Sequence, residues 1–249
     1  MFEWAFVSDA RTLDGMVLTN SQLDKAGRML RRHQRGESIT TEQYNKALLT
    51  IFQYRSEHQE PLNTAQMGLR SAVRTEGLDP TGKVSSRLKQ ERTIVDKLRR
   101  EATLSLSRMA DIGGCRAILP TVAAVQDVRR RLEKDTSARH HEYTRDYIKT
   151  PRGSGYRGMH VILRYKGRLV EMQLRTPVMH AWALAVESLS MRHGEDYKGE
   201  LHEPVTGWLS SISAAMALEE VGQEVPEELL REIARQRMLV DNHWRGSAI

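Results

Sequence analysis

The chain has 249 residues, of which 39% are hydrophobic and 28% are charged, and its net charge is +6. These values are ordinary for a soluble globular protein that is long enough to bury its own core. No apolar run approaches the roughly 20 residues needed to cross a bilayer, so no membrane segment is expected.

Several classes of site and location are disfavoured by single features. The opening segment, MFEWAFVSDAR, has neither the basic region nor the cleavage pattern of a secretory signal, so a cytoplasmic location is expected. The single cysteine, Cys115, cannot form an internal disulfide; we expect it to be buried and assign it no chemistry. Nine histidines show no zinc-binding spacing. Clustered arginines favour a polyanionic partner, either nucleic acid or nucleotides.

Residues 1–78 are predicted to be an all-helical N-terminal region. Thr40 and Gln43 have the spacing of a capping box, which marks the start of a helix. Gly77 and the LDPTGK segment provide a natural stop. The predicted helices are Ser21 to Arg32, residues 41–58, and a helix that begins at Pro61.

Residues 79–200 change to an α/β pattern, and residues 201–249 return to helices. In the middle region we predict a helix near 88–101, a strand near 114–119, a helix near 121–134 and two strands between 159 and 175. In the last region, one amphipathic helix includes Val205 and another opens at Pro226. The fold class is therefore α/β (α+β), with helical extensions at both ends.

The second of those two strands alternates between apolar and polar residues. Val170, Met172 and Leu174 face one way, and Glu171, Gln173 and Arg175 face the other. Side chains on one face of a strand lie roughly 6.5 to 7 Å apart, so Glu171 and Gln173 could touch different parts of one nucleotide. The alternative is an edge strand whose polar face is solvated.

Cations and a carboxylate precede this strand in the sequence. Lys89, Thr93 and Lys97 have the spacing of one helix face, with Arg87 at its start, and such a row suits phosphates. An exposed basic helix would show the same spacing. Asp111 precedes two glycines and a strand that bears Arg116, which suits a magnesium ligand. Alternatively, its carboxylate caps the turn.

Tyr156 lies between glycines in the segment PRGSGYRGMH, with His160 four residues later. The glycines are expected to leave the ring free to lie flat on a base, and such stacking contributes roughly 1 to 3 kcal/mol. A hairpin or loop with a packed tyrosine is the alternative. None of these segments identifies a function alone.

In this order, the segments resemble the synthetase domain of the RelA/SpoT family over about residues 86–198. The matching motifs are R-x-K at Arg87, D-x-x-G-x-R at Asp111, DYI at Asp146, P-R-x-S-G-Y-R-x-x-H at Pro151, E-x-Q-x-R-T at Glu171, and Tyr197-Lys198. The resemblance implies a mixed β-sheet of the nucleotidyltransferase type, flanked by helices. It also implies transfer of the β,γ-diphosphate of ATP to a ribose 3′-hydroxyl, with release of AMP.

The resemblance also implies roles for individual residues. Asp111 and Glu171 would be the catalytic pair that holds Mg²⁺, and Glu171 could take the proton from the attacking hydroxyl. Arg87 and Arg116 would sandwich the adenine. The ATP-binding set is Arg87, Lys89, Lys97 and Arg116. The acceptor-binding set is Tyr156, Arg152, His160, Gln173 and Arg175.

The acceptor itself is left open by the sequence. The first hypothesis is GDP or GTP, giving (p)ppGpp, although Ser154 and Gly158 depart from the family pattern. The helix MHAWALAVE and residues 21–30 resemble a branch that includes toxins. In that branch, members pyrophosphorylate the 3′-CCA end of tRNA or make adenosine alarmones, and an antitoxin protein would be a partner. A catalytically inactive nucleotide- or RNA-binding module is the third hypothesis, and terminal helices would support a homo-oligomer.

Overall fold

The chain folds around a mixed β-sheet flanked by helices, with further helices at both ends. This structure, a computed structural model, describes residues 18–81, 83–198 and 202–246. The opening segment MFEWAFVSDAR, on which the expectation of no secretory signal rests, lies outside the described residues. Within the described ranges, no helix has the length and apolar composition needed to span a membrane.

Three helices form the N-terminal region: α1 (Asn20–Gln34), α2 (Thr41–Ser56) and α3 (Gln59–Thr75). The predicted capping box is confirmed, because the Thr40 side chain accepts a hydrogen bond from the backbone N–H of Gln43, and the Gln43 side chain accepts one from the backbone N–H of Thr40. Gly77 ends the region with a positive φ of 72°, as its position after α3 predicts. All three predicted helices are confirmed, and α3 begins two residues before Pro61.

The remaining elements follow in chain order. They are β1 (Val84–Leu88), α4 (Glu91–Arg100), a short 3₁₀ helix (Leu106–Arg108), β2 (Gly113–Ile118), α5 (Val122–Leu132), β3 (Arg139–Asp146), β4 (Met159–Tyr165), β5 (Arg168–Arg175), α6 (Pro177–His193), α7 (Val205–Glu220) and α8 (Glu227–Gly246). The strand order is β1-β2-β5-β4-β3, in which β2 and β5 are parallel and all other neighbours are antiparallel. The predicted fold class is confirmed.

The predicted helix near 88–101 is wrong at its start. Residues Val84–Leu88 pair with β2 as an edge strand, and the Lys89 N–H continues this ladder by donating to Ile112 O at 2.8 Å. The helix begins only at Glu91. Lys89 therefore does not share a helix face with Lys97, although the two side chains still meet.

The two faces of the sheet have different environments. Val170, Met172 and Leu174 of β5 lie in a core cluster with side chains from α3 and α5, such as Leu69 and Val128. The opposite face of β5 carries Glu171, Gln173 and Arg175, as the alternation predicts. Cys115 is 1% exposed on the core side, and burial raises the pKa of its thiol to about 12, which agrees with the expectation of an inert buried side chain.

Two further clusters tie the terminal helices to the middle of the chain. Leu30 and Ile51 of the N-terminal helices pack with Ile94 and Leu98 of α4. At the other end, Leu209 of α7 belongs to a cluster that also contains Tyr156, Trp182 and Val240. The terminal helices therefore build part of the surroundings of the polar sheet face.

Candidate active site

The register of the sheet gathers the candidate residues on one face. Glu171 of β5 pairs with Gly114 of β2, which in turn pairs with Arg87 of β1. In the next row, Gln173 pairs with Arg116 on one side and with His160 on the other. Because paired residues in neighbouring strands point to the same face, side chains from four strands converge there.

Asp111 lies in the turn directly before β2 and binds two lysines. Its Oδ2 is 2.9 Å from Lys97 Nζ and 3.1 Å from Lys89 Nζ. Its Oδ1 is buried and has no hydrogen-bond partner in the described part of the chain. A side chain that caps a turn accepts a hydrogen bond from a backbone N–H. Asp111 Oδ1 accepts none in the described residues and Oδ2 binds the two lysines, so the carboxylate does not cap the turn.

Glu171 belongs to a closed ring of hydrogen bonds. Its Oε1 is 2.9 Å from His160 Nδ1, and its Oε2 accepts from Gln173 Nε2 at 2.6 Å. His160 Nε2 is 2.6 Å from Tyr156 OH, and Arg175 donates both to Tyr156 OH and to Gln173 Oε1 at 3.0 Å. The ring fixes every member, because each side chain bonds to two others.

The ring also determines protonation. Burial raises the pKa of Tyr156, so its hydroxyl stays protonated beside His160 Nε2. Burial alone would raise the pKa of Glu171, but the electrostatic and hydrogen-bond interactions with His160, the hydrogen bond from Gln173 and the charge of Lys97 outweigh it and lower that pKa. Glu171 is therefore a carboxylate near neutral pH.

Lys97 links the two carboxylates. Its ammonium group pairs with Asp111 directly, and its charge also lowers the pKa of Glu171. The sheet register agrees with this link, because Glu171 pairs with Gly114, three residues after Asp111. The described residues contain no group of three or more His, Cys, Asp and Glu side chains arranged for a metal ion, so two carboxylates are what the protein offers.

The expectation of a free Tyr156 ring is wrong in this structure. The ring is 1% exposed and packs edge-on against Tyr147 and His160. Gly155 does not loosen the segment but lets it pass close to α7, where Ser213 Oγ donates to Gly155 O at 2.6 Å. The packed tyrosine is thus the arrangement observed, and stacking on a base requires the ring to be uncovered.

Three cations surround the Tyr156 ring, and we call them the Tyr156 cation cluster: Arg152, Arg175 and Lys198. Their charged atoms lie 5.6, 5.2 and 5.3 Å from the ring centroid. Lys198 was part of the quoted sequence pattern but received no role. The ion pair between Lys198 and Glu187 of α6, with 2.6 Å between Nζ and Oε1, was not predicted. The charge of Glu187 in the apolar helix MHAWALAVE was the available signal.

Two arginines on the polar face lack full hydrogen bonding. Arg116 and Arg175 each have a buried Nε without a partner among the described residues. Burial, followed by the nearby charges of Arg175 and Arg87, lowers the pKa of Arg116. Crowded cations with unused donors are suited to binding anions such as phosphates.

All candidate residues from the sequence are thus brought to one region, through the sheet face, the Asp111 turn or the Tyr156 loop.

Residues 86–199 match the family model described as the region found in RelA / SpoT proteins. GTP pyrophosphokinase YjbM of Bacillus subtilis (strain 168) is 29% identical over 197 residues, which are 74% of this chain and 81% of that protein.

Solved structures are similar over most of the chain. The crystal structure of small alarmone synthetase 1 from Bacillus subtilis gives a TM-score of 0.56 at 25% identity, covering 76% of this chain and 97% of that chain. Its complex with the product pppGpp gives 0.54 at 27%, covering 72% and 94%. Residues 86–199 are therefore a RelA/SpoT domain, and the chain is a homologue of the small alarmone synthetases.

Proposed function

We propose that the chain is a pyrophosphokinase that transfers the β,γ-diphosphate of ATP to the ribose 3′-hydroxyl of GDP or GTP and releases AMP. The observation that carries the proposal is that the sheet register pairs Glu171 with Gly114, three residues after Asp111, on the cation-lined sheet face. The homology to GTP pyrophosphokinases and the product pppGpp in a similar structure support guanosine acceptors.

Asp111 and Glu171 are proposed to hold Mg²⁺. The fit is chemical: both are carboxylates, Asp111 Oδ1 is buried without a partner, and the lowered pKa keeps Glu171 ionised. When bound, the ion supplies positive charge against the phosphate oxygens. The same lowered pKa makes Glu171 a weak base, so the structure favours its ligand role over removal of the hydroxyl proton.

The donor nucleotide is assigned to the β1 and β2 side. Arg87 pairs with Gly114, two residues from Arg116, so the arginines are diagonal neighbours on one sheet face. Diagonal neighbours lie about 7 to 8 Å apart, which leaves room for one flat ring between two guanidinium planes. Lys89 and Lys97, which here neutralise Asp111, are placed to meet the ATP phosphates.

The acceptor is assigned to the β4 and β5 side, where Tyr156, Arg152, His160, Gln173 and Arg175 lie. In the observed closed ring, Tyr156 and His160 bond to each other. Acceptor binding would uncover the Tyr156 ring for stacking and free Arg175 for phosphate. Such a reaction needs no nucleophilic side chain, because aligning two substrates alone contributes roughly 7 to 11 kcal/mol.

An acceptor survey tests this proposal. The purified chain and ATP labelled in its γ-phosphate are incubated in separate reactions with one acceptor each: GDP, GTP, unlabelled ATP or tRNA. We expect label on GDP and GTP. Label on tRNA alone would replace the proposed activity by the tRNA hypothesis. A labelled 3′-diphosphate product of ATP alone would indicate adenosine alarmones. If no ATP is consumed, the inactive binding module becomes the better hypothesis. The antitoxin partner, the homo-oligomer and the cytoplasmic location stay predictions.

Substitution of the carboxylates tests the assigned site. Asp111→Asn and Glu171→Gln keep the size of each side chain but remove its charge, so each is expected to lower kcat by about 100-fold or more. Glu142→Gln is the matched control, because Glu142 also forms an ion pair, at 2.6 Å with Arg164, on the edge strand β3. Normal turnover in either of the first two variants would refute the assignment.

A further inference from the structure

We propose that Glu187 is a specificity-determining residue that limits how many negative charges a bound nucleotide brings to the Tyr156 cation cluster. The inference rests on the proposed function, since it concerns nucleotide phosphates at the same site. It begins from an imbalance of charge around a buried ring.

The Tyr156 cation cluster has more positive charge than its protein partners neutralise. Arg175 is 2% exposed, and its hydrogen bonds go to the uncharged groups of Tyr156 and Gln173. Arg152 donates to Tyr147 OH at 3.1 Å. In the described ranges, neither arginine is within ion-pair distance of a carboxylate. The charges of two of the three cations are therefore not neutralised by an ion pair, which leaves them available to bind an anion.

Glu187 is the carboxylate that pairs with the third cation. Its Oε1 lies 2.6 Å from Lys198 Nζ, and the chain holds Lys198 in place because Ser154 Oγ donates to the Lys198 carbonyl at 3.1 Å. The charges of Arg175 and Arg87 also act on Glu187. A phosphate oxygen bound to Lys198 would take the position of this carboxylate oxygen.

The location of Glu187 allows such competition. Its side chain is 43% exposed, so another rotamer carries the carboxylate into water without disturbing the core. A nucleotide with few charges can bind beside Glu187, whereas each further phosphate charge is repelled by the carboxylate or must displace it. Glu187 thus sets the balance between weakly and strongly charged nucleotides at this site.

A charge series of ligands tests the inference. Binding of GMP, GDP and GTP, and separately of AMP, ADP and ATP, is measured by calorimetry at fixed pH and salt. We compare the unmodified chain, Glu187→Gln and the control Glu142→Gln. Glu187→Gln is expected to improve the binding of the triphosphate relative to the monophosphate by about threefold or more, the size expected for a partly exposed charge. The control, which makes the same change in net charge, leaves that ratio unchanged.

The two nucleotide series separate two sources of phosphate. A response of the guanosine series places acceptor phosphates at the cluster, and a response of the adenosine series places donor phosphates there; either supports the inference. An equal change for all ligands in a series, or no change, would overturn it. Glu187→Ala makes the same charge change and replaces Glu187→Gln if that variant does not fold. If the unmodified chain binds neither series, the proposed function fails instead.

Discussion

At the scale of single residues, neighbouring groups decide what each ionisable side chain does. Glu171 is buried, which alone would favour a neutral acid, yet the electrostatic and hydrogen-bond interactions with His160, the hydrogen bond from Gln173 and the charge of Lys97 keep it ionised. Lys97 also neutralises Asp111, 2.9 Å away. Asp111 and Glu171 would hold a divalent ion through their carboxylate oxygens, and that ion would compete with Lys97 for Asp111.

His58 gives a testable pH dependence away from the site. It is fully buried, its Nδ1 lies 2.7 Å from Tyr54 O, and burial lowers its pKa from 6.5 to about 4. The unfolded chain therefore binds a proton at a higher pH than the folded chain does. Stability is unaffected by His58 above pH 6.5 and falls as the pH is lowered towards 4, by about 3 kcal/mol in total.

The measurement is the free energy of urea unfolding between pH 7.5 and about 4, the range bounded by these pKa values. In His58→Asn, the side chain does not titrate, so the loss of unfolding free energy on acidification should be smaller by about 3 kcal/mol. An identical pH profile for the two proteins would show that His58 does not couple folding to protonation.

At the scale of elements, the sequence predicts those that pack against a core and misses those that do not. The alternation of β5 and the apolar stripes of α1 to α3 were sufficient to predict these elements, because burial of one face imposes such patterns on the sequence. The strands β1 and β3 were missed. They are the two edges of the sheet and have mostly polar residues, VSSRL and RHHEYTRD, so neither face shows a buried pattern.

The same limit explains the outcome at Tyr156. Local glycines predicted a free ring, whereas the ring is buried in a cluster that includes Trp182 of α6 and Leu209 of α7. Lys89 and Lys97 were expected on one helix face, and they meet instead through Asp111. Periodicity reports local structure, but which distant segment covers a loop depends on tertiary packing.

Contact between α7 and the Tyr156 loop can be tested with glycine substitutions. A Cβ at Gly155, where φ is +87°, would lie 2.6 Å from Ser210 Cα, so Gly155→Ala should destabilise the fold by about 3 kcal/mol or more through backbone strain and overlap. Gly167→Ala is the control, because its φ is +79° but nothing lies within 4 Å; it should cost about 1 to 2 kcal/mol.

Denaturant unfolding of both variants gives the comparison. Equal losses would mean that α7 does not press on the loop at Gly155.

At the scale of the whole molecule, the three sequence regions share cores. The N-terminal helices pack with α4, and the C-terminal helices α7 and α8 pack with the Tyr156 loop. Arg31 of α1 also donates to Leu104 O at 2.9 Å, which links the N-terminal region to the middle region. We propose that residues 1–78, 79–200 and 201–249 are regions of one cooperative unit.

Scanning calorimetry tests cooperativity. We expect one transition whose calorimetric and van't Hoff enthalpies agree, because separating any region would expose core side chains. Two resolved transitions would show that a terminal region unfolds independently.

The central claim, diphosphate transfer at the Asp111 and Glu171 site, is tested most directly by the stoichiometry of the nucleotide products. With GDP and ATP, chromatography should show AMP and ppGpp forming in a one-to-one ratio, with both lost in Asp111→Asn and Glu171→Gln and retained in Glu142→Gln. Formation of ADP in place of AMP, or unchanged product formation in the two site variants, would contradict the account.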